Sequence, residues 1–246
     1  MIDLHAHVLP GVDDGPRSMA EAVELVRAAR AAGTTTIAAT PHIDVRYRMN
    51  GRRVAAGLAA LREQLAAAEV DVNVVGGGEI ALEKLIDLGP DELDRLGLGG
   101  GPCLLVEPPL RSLPGDWEWA VRRLLEAGRS VLLAHPERCP SFQREPERLR
   151  ALVDAGAYAQ VTVGALVGDF GATVRDTALR IFREGLVHDL ASDMHDLGPR
   201  PPSLVAGLEV LAAEGLATTR QQQAWLTASA PAAILAGSQL PPRPWP

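Results

Sequence analysis

Histidines and carboxylates recur in this chain at the ends of short apolar runs, where a backbone can aim them together. His5 and His7 lie in Asp3-Leu4-His5-Ala6-His7, two residues apart, so on a strand both rings leave the same face. His42 ends Thr40-Pro41-His42, and Glu79 follows Val74-Val75-Gly76-Gly77-Gly78. Glu107 follows Cys103-Leu104-Leu105-Val106, and His135 follows the apolar run that starts at Ser130. Asp193 and His195, again two apart, follow Asp189-Leu190-Ala191-Ser192. Imidazoles and carboxylates gathered at strand ends are what a cluster of hydrolytic divalent metals requires. Any one of them alone reads more simply as a polar residue entering a loop; the ordered set does not arise by chance. His188, in Gly185-Leu186-Val187-His188, has no such setting and reads as structural.

Two other hydrolytic chemistries fail on spacing. A cysteine-dependent phosphatase needs a thiolate with arginine six positions on, but Cys103 has Pro109 there and Cys139 has Glu145. Cys103 lies in an apolar strand and reads as core, while Cys139 is expected to face a loop. There is no Gly-x4-Gly-Lys-Ser/Thr phosphate loop.

The elements that must position the donors are legible as a repeated helix, glycine and strand. Glu21 to Ala32 ends at Gly33, and Asp116 to Ala127 ends at Gly128. Pro146 to Ala155 ends at Gly156, and Thr173 to Glu184 ends at Gly185. Strands follow at Thr34 to Thr40, Ser130 to Ala134, Tyr158 to Val163 and Val187 to Ala191. A glycine just past a helix supplies the left-handed residue that ends it, and strands alternating with helices imply parallel pairing. About seven strands are expected, too few for the common eight-stranded barrel but suited to a closed or nearly closed variant with its site at the strands' carboxyl ends. Tyr47 to Arg53 is expected as a loop near that mouth. The proline-rich tail, 238–246, is expected to be extended or mobile, leaving 1–237 as one domain.

Composition bounds the rest. The 246 residues, 47% of them apolar, fit one large domain. A net charge of −7 argues against a nucleic-acid-binding surface. Two cysteines do not make a disulfide framework. The first metal-type motif begins at the first residues, with no secretory pattern, and no apolar run is long enough to span a bilayer. A soluble cytoplasmic protein without direct membrane insertion is expected.

At the level of motifs, Met1-Ile-Asp-Leu-His-Ala-His7, Ala39-Thr-Pro-His42, Gly78-Glu79-Ile80, Leu105-Val-Glu107, Leu133-Ala-His-Pro-Glu-Arg-Cys139 and Ala191-Ser-Asp-Met-His195 resemble the PHP (polymerase and histidinol phosphatase) superfamily. Asp13-Asp14-Gly15, the His135–Arg138 tetrapeptide, Gln160-Val-Thr-Val-Gly-Ala-Leu166, Gly168-Asp-Phe-Gly171 and Arg200-Pro-Pro are closest to the bacterial protein-tyrosine phosphatases associated with capsule and exopolysaccharide synthesis. The resemblance implies an α/β fold, a distorted seven-stranded β/α barrel, carrying two or three divalent metals. It implies one metal at His5, His7, Glu79 and Asp193, and a second at Glu79, Glu107 and His135. A third is implied at His42, His195 and an aspartate of the Asp13-Asp14 pair. Asp14 is favoured, although spacing alone leaves both open. Mixed nitrogen and oxygen donors suit manganese, iron, zinc or cobalt, and manganese is favoured.

The implied activity is hydrolysis of phosphotyrosine by hydroxide generated at the metals, on a protein partner such as the tyrosine kinase of polysaccharide export. Arg138 and Arg200 can hold phosphate oxygens with their planar donor forks, and Asp14 or His195 can serve as the acid for the leaving group. Alternatives remain open at this level. They are a small-molecule phosphomonoesterase of histidinol-phosphatase type, a metal-dependent amidohydrolase, and a non-catalytic metal-binding module. The arginines beside the ligand motifs favour an anionic phosphate.

Overall fold

The computed structural model describes residues 1–113 and 115–245; Pro246, the last residue of the expected tail, lies outside the described residues. Nine short strands appear among them: β1 (Ile2–Ala6), β2 (Thr36–Ala39), β3 (His42–Ile43), β4 (Asn73–Gly76), β5 (Glu79–Ala81), β6 (Cys103–Glu107), β7 (Ser130–Leu133), β8 (Tyr158–Thr162) and β9 (Asp189–Ala191). They form two all-parallel sheets, ordered β1-β2-β4 and β3-β5-β6-β7-β8-β9. The fold is therefore α/β with parallel sheets, without a single closed ladder among the described residues.

The count exceeds the expected seven because two chain segments each break into a pair of strands. Between β2 and β3 lie Thr40 and Pro41. Proline has no N–H to give to a ladder, and the Thr40 hydroxyl accepts instead from Ala6 N at 3.0 Å. Between β4 and β5 lie Gly77 and Gly78. A Cβ on Gly77 would come within 2.8 Å of Leu98, and one on Gly78 within 2.7 Å of Ile43, so only glycine lets the backbone pass there. These breaks move His42 and Glu79 from the expected strand ends to the first residues of β3 and β5. There the two are paired in register.

The seam between β1 and β9 is held differently. Asp3, in β1, accepts from Ser192 N and its hydroxyl. Further along, Asp193 N donates to His5 O at 3.0 Å and His7 N to Met194 O at 2.9 Å, with an isolated parallel bridge at Ala6 and Met194.

The helices are α1 (Met19–Ala31), α2 (Gly51–Ala67), α3 (Leu82–Leu85), α4 (Pro90–Leu96), α5 (Trp119–Glu126), α6 (Pro140–Arg144), α7 (Pro146–Asp154), α8 (Val163–Val167), α9 (Ala172–Arg183), α10 (Leu204–Ala213), α11 (Arg220–Ala224) and α12 (Ala230–Ala236). The longer ones bury one face, as in α1, where Ala22, Val23, Leu25, Val26 and Ala29 repeat at helical spacing behind the Ser18 cap. The expected loop from Tyr47 is shorter than its sequence suggested. Asn50 caps α2 by accepting from Arg53 N, so the helix starts at Gly51. The tail is extended but docked. Trp225 Nε1 donates to Pro241 O, Trp245 Nε1 donates to Leu216 O, and the Arg243 guanidinium lies over both indoles. No helix among the described residues is long and apolar enough to cross a membrane.

Candidate metal centre

All nine expected donors converge at one mouth of the sheets. Four groups of ligand atoms lie within 4.8 Å of one another: His7, Asp14, His42 and His195; His5, His7 and Asp193; His5, Glu79 and His135; and His42, Glu79 and Glu107. Glu79 is the hub. Its Oε1 lies 3.4 Å from His5 Nε2 and 2.8 Å from His135 Nε2, and its Oε2 lies 3.3 Å from His7 Nε2 and 2.8 Å from His42 Nδ1. Asp193 Oδ1 stands 3.4 Å from His5 Nε2 and 3.6 Å from His7 Nε2. Glu107 is 3.7 Å from His135, and Asp14 Oδ1 is 3.3 Å from both His42 Nε2 and His195 Nε2. His5, His7, Glu79, His135, Asp193 and His195 are buried; Asp14 is 45% exposed at the rim.

The chain bends sharply to deliver two of these side chains. His135 (φ 31°) and Asp193 (φ 54°) both adopt the left-handed region, which costs about 1 kcal/mol or more for a residue with a Cβ. Each lies two residues past the end of a strand, β7 and β9, and turns the side chain back toward the mouth.

Hydrogen bonds behind the rings decide which nitrogen faces the cluster. Gln160 gives its amide N–H to Asp189, so its Oε1 is free to accept from His5 Nδ1 at 2.9 Å. Asp13 Oδ2 accepts from His7 Nδ1 at 2.7 Å and from His42 N at 3.2 Å. That settles the geometry of the Asp13-Asp14 pair: Asp13 points behind His7, whereas Asp14 faces the cluster. With both Nδ1 atoms donating outward, the Nε2 lone pairs of His5 and His7 confront each other at 3.3 Å. Glu79 Oε2, buried, accepts no well-aligned hydrogen bond, although His42 Nδ1 stands 2.8 Å away. Opposed lone pairs and an orphaned carboxylate oxygen fit a cation between them, and the mixed imidazole and carboxylate set fits a divalent first-row metal.

The titration behaviour shows the same surplus of donors. Burial opposes the imidazolium at His5, but without a cation Glu79 and Asp193 outweigh it and hold that ring up to about 9, so a proton takes the Nε2 position that a metal would displace it from. Burial also works against His42, which Asp14 and Glu79 raise to about 11. His135 goes the other way, to about 4, through burial and Arg138. Burial and the charge on Glu79 push Glu107 up to about 8, while the histidines overcome burial at Glu79 and drive it well down. Neighbours thus compete for too few protons, a role divalent cations fill.

Several supporting residues carried no separate signal as supports. Gln160 and Asp13 are two. Glu137, fully buried, accepts from Thr162 N and Oγ1 at 3.0 Å each and ties the His135 turn to the end of β8. Phe170, in the Gly168–Gly171 motif, lies under the Arg138 guanidinium at 4.4 Å. The arginines reach the site but rest on its ligands: Arg200 contacts Asp193 Oδ2 and His195 Nε2, and Arg138 lies 3.5 Å from Asp193 Oδ2. A cleft of about 600 Å³, lined by Asp14, Pro16, Ala20, Leu25, His195 and Leu197, opens beside the cluster. Cys103 and Cys139 are both fully buried, and burial raises both thiols. Cys139 was expected on a loop surface, but it packs in the core. His188 lies outside the cluster, as expected, and its Nδ1 accepts from Ala159 N.

The family model for capsular polysaccharide synthesis, CpsB/CapC, matches residues 1–235. The chain belongs to the CpsB/CapC family. Tyrosine-protein phosphatase YwqE of Bacillus subtilis is 33% identical over 201 residues, covering 81% of this chain and 79% of that protein. A crystal structure from a study of YwqE of Bacillus subtilis and CpsB of Streptococcus pneumoniae, described as metal-dependent tyrosine phosphatases, superposes with a TM-score of 0.85. It has 31% identity and full coverage of both chains. A β-aspartyl dipeptidase of Fervidobacterium islandicum shares the fold alone, at a TM-score of 0.60 and 14% identity over 95% of this chain and 72% of that one.

Proposed function

We infer that this chain is a metal-dependent protein-tyrosine phosphatase, a phosphoric monoester hydrolase of polysaccharide biosynthesis. The observation that carries the reading is the CpsB/CapC membership of a chain whose donors surround bare, opposed imidazole nitrogens. In this reading residues 1–237 are one phosphatase domain with 238–246 as its tail. Joining β2 to β3 and β4 to β5 gives the seven staves of a distorted barrel. The protein works in the cytoplasm on a phosphotyrosine-containing partner, the tyrosine kinase of polysaccharide export.

His5, His7, Glu79 and Asp193 would hold one metal, Glu79, Glu107 and His135 a second, and Asp14, His42 and His195 a third, with manganese favoured. Metals held there would supply hydroxide at neutral pH and draw charge from the phosphate. Arg138 and Arg200 bind phosphate oxygens through their donor forks; Phe170 under Arg138 and the Asp193 carboxylate beside both fix their planes. Whichever of Asp14 and His195 is not engaged by metal would pass a proton to the departing tyrosyl oxygen, since the two lie 3.3 Å apart at the rim. The buried side chains around Glu79 keep bulk water from competing at the reacting phosphorus.

The test is a comparison of kcat/KM for a phosphotyrosine peptide and for histidinol phosphate on the same preparation. The reading predicts that the peptide is preferred by about a hundredfold or more, the scale of selectivity that pocket contacts supply. Preference for histidinol phosphate would overturn it in favour of a small-molecule phosphatase.

A further inference from the structure

The mouth of the metal centre is flanked on the His42 side by a segment that the chemistry above does not use. Tyr47 stacks on the His42 ring, with centroids 5.6 Å apart and planes only 7° from parallel, and the Arg46 guanidinium lies over the other part of that stack, 4.8 Å from the Tyr47 centroid. The Asp44 carboxylate fixes the turn by accepting from Arg46 N at 2.9 Å and Tyr47 N at 2.8 Å. Arg46, Arg48, Arg52 and Arg53 are all exposed along this loop and the first turn of α2. Among the described residues none of the four is ion-paired with a carboxylate. Some arginines elsewhere on the surface, such as Arg122, Arg129 and Arg150, have carboxylate partners, whereas here four without one fall within eight residues.

Four guanidiniums without a carboxylate partner, on the segment that leads away from the His42–Tyr47 stack of a chain whose net charge is −7, make a local field opposite to that of the whole molecule. A protein this acidic repels acidic peptides in general, so such a patch has value at the one place where a peptide must approach. The Tyr47 ring is held against His42, one of the donors at the edge of the cluster. Tyrosine and arginine are also the side chains most often found anchoring recognition surfaces.

We propose that Asp44–Arg53 is the substrate-docking surface of this enzyme, taking a phosphotyrosine segment with acidic flanking residues. Tyr47 packs beside the substrate ring and the arginines pair with the flanking carboxylates. The proposal rests on the phosphotyrosine reading for the ring contact, but the charge preference does not depend on it.

The test uses four peptides of equal length, carrying phosphotyrosine or phosphoserine between glutamates or between glutamines, assayed with the full chain loaded with manganese. The wild type is expected to favour the acidic phosphotyrosine peptide over its neutral counterpart by about tenfold in kcat/KM at low salt, and much less at high salt. Arg46→Glu with Arg52→Glu should abolish or invert that ratio, and Arg46→Lys with Arg52→Lys should keep it, because charge alone is required. Tyr47→Ala should lower turnover of both phosphotyrosine peptides while leaving the acidic-to-neutral ratio near the wild-type value. Equal turnover of acidic and neutral peptides by the wild type, or a ratio unmoved by the glutamate variant, would overturn the proposal. A wild type that hydrolyses phosphoserine and phosphotyrosine alike would instead refute the phosphotyrosine reading, while the acidic-to-neutral ratio would still report on the loop.

Discussion

Replacing Gln160 with leucine isolates what the residues behind the metal centre contribute. Gln160 is fully buried and touches no phosphate or metal position; it accepts from His5 Nδ1 at 2.9 Å and donates to Asp189. Leucine has nearly the same volume, so packing changes little. Two buried polar groups are then stranded: the His5 N–H, and the Asp189 carboxyl, whose Oδ1 already lacks a partner. Leaving a buried donor unpaired costs about 1–3 kcal/mol. His5 can escape that cost only by moving its proton to Nε2, the nitrogen that faces Glu79 and Asp193, and that removes a ligand. By either route metal affinity should fall about 10- to 100-fold, the usual effect of losing such a partner, equivalent to about 1.4–2.7 kcal/mol. Competition against a metal-sensitive chelating dye measures the affinity, and circular dichroism checks that the variant is folded. Folded Gln160→Leu protein with wild-type affinity would show that His5 needs no orienting partner, and the argument from opposed lone pairs would fall with it.

Other outcomes follow from the same geometry. Arg138→Ala and Arg200→Ala should keep their metals at saturating concentration but each lose about 3 kcal/mol of transition-state stabilisation, roughly two powers of ten in kcat/KM, with lysine restoring only part; wild-type kinetics in both would reassign the arginines to structure. Asp189 is pushed up to about 8 by burial, so between about pH 4 and 8 the folded chain retains a proton that the unfolded chain has released. Its contribution to stability therefore falls as pH rises through that window. The melting temperature of Asp189→Asn relative to wild type should improve from pH 5 to pH 8, and a constant difference would contradict the assignment.

Much of this centre could be read from the chain because its donors sit in short motifs at strand ends, where two-residue spacing already fixes a common face. His5, His7, Glu107, His135, Asp193 and His195 needed little more. The helix, glycine and strand repeat placed α1, α7 and α9 to within a few residues, since a left-handed glycine is a strong local stop. The strand count was less legible. The break at Thr40-Pro41 comes from proline's missing N–H and the Thr40 hydroxyl reaching Ala6, and that at Gly77-Gly78 from close approach to Leu98 and Ile43, remote in sequence from the glycines. The choice between Asp13 and Asp14 also waited on tertiary structure, because adjacent residues share every spacing argument and differ only in which side of His7 they reach. Gln160, Glu137 and Phe170 lay inside recognisable motifs, but their roles as props for His5, the His135 turn and Arg138 depend on contacts across β8 and α8 that no local pattern encodes. The tail is extended, one of the two states expected of it, but its docking through Trp245 and Arg243 had no local signal, because proline forbids a helix without saying where the chain packs.

The most direct measurement pairs metal content with turnover of a phosphotyrosine peptide on the same samples of wild type and Glu79→Ala. Glu79 lies within 3.4 Å of His5, His7, His42 and His135, so its loss should disperse the cluster while leaving the sheets folded. The wild type should carry about two or more divalent ions per chain, lose activity on exhaustive chelation and regain it with manganese. Glu79→Ala should be folded, metal-depleted and inactive. Full turnover by metal-free wild-type protein would contradict the account.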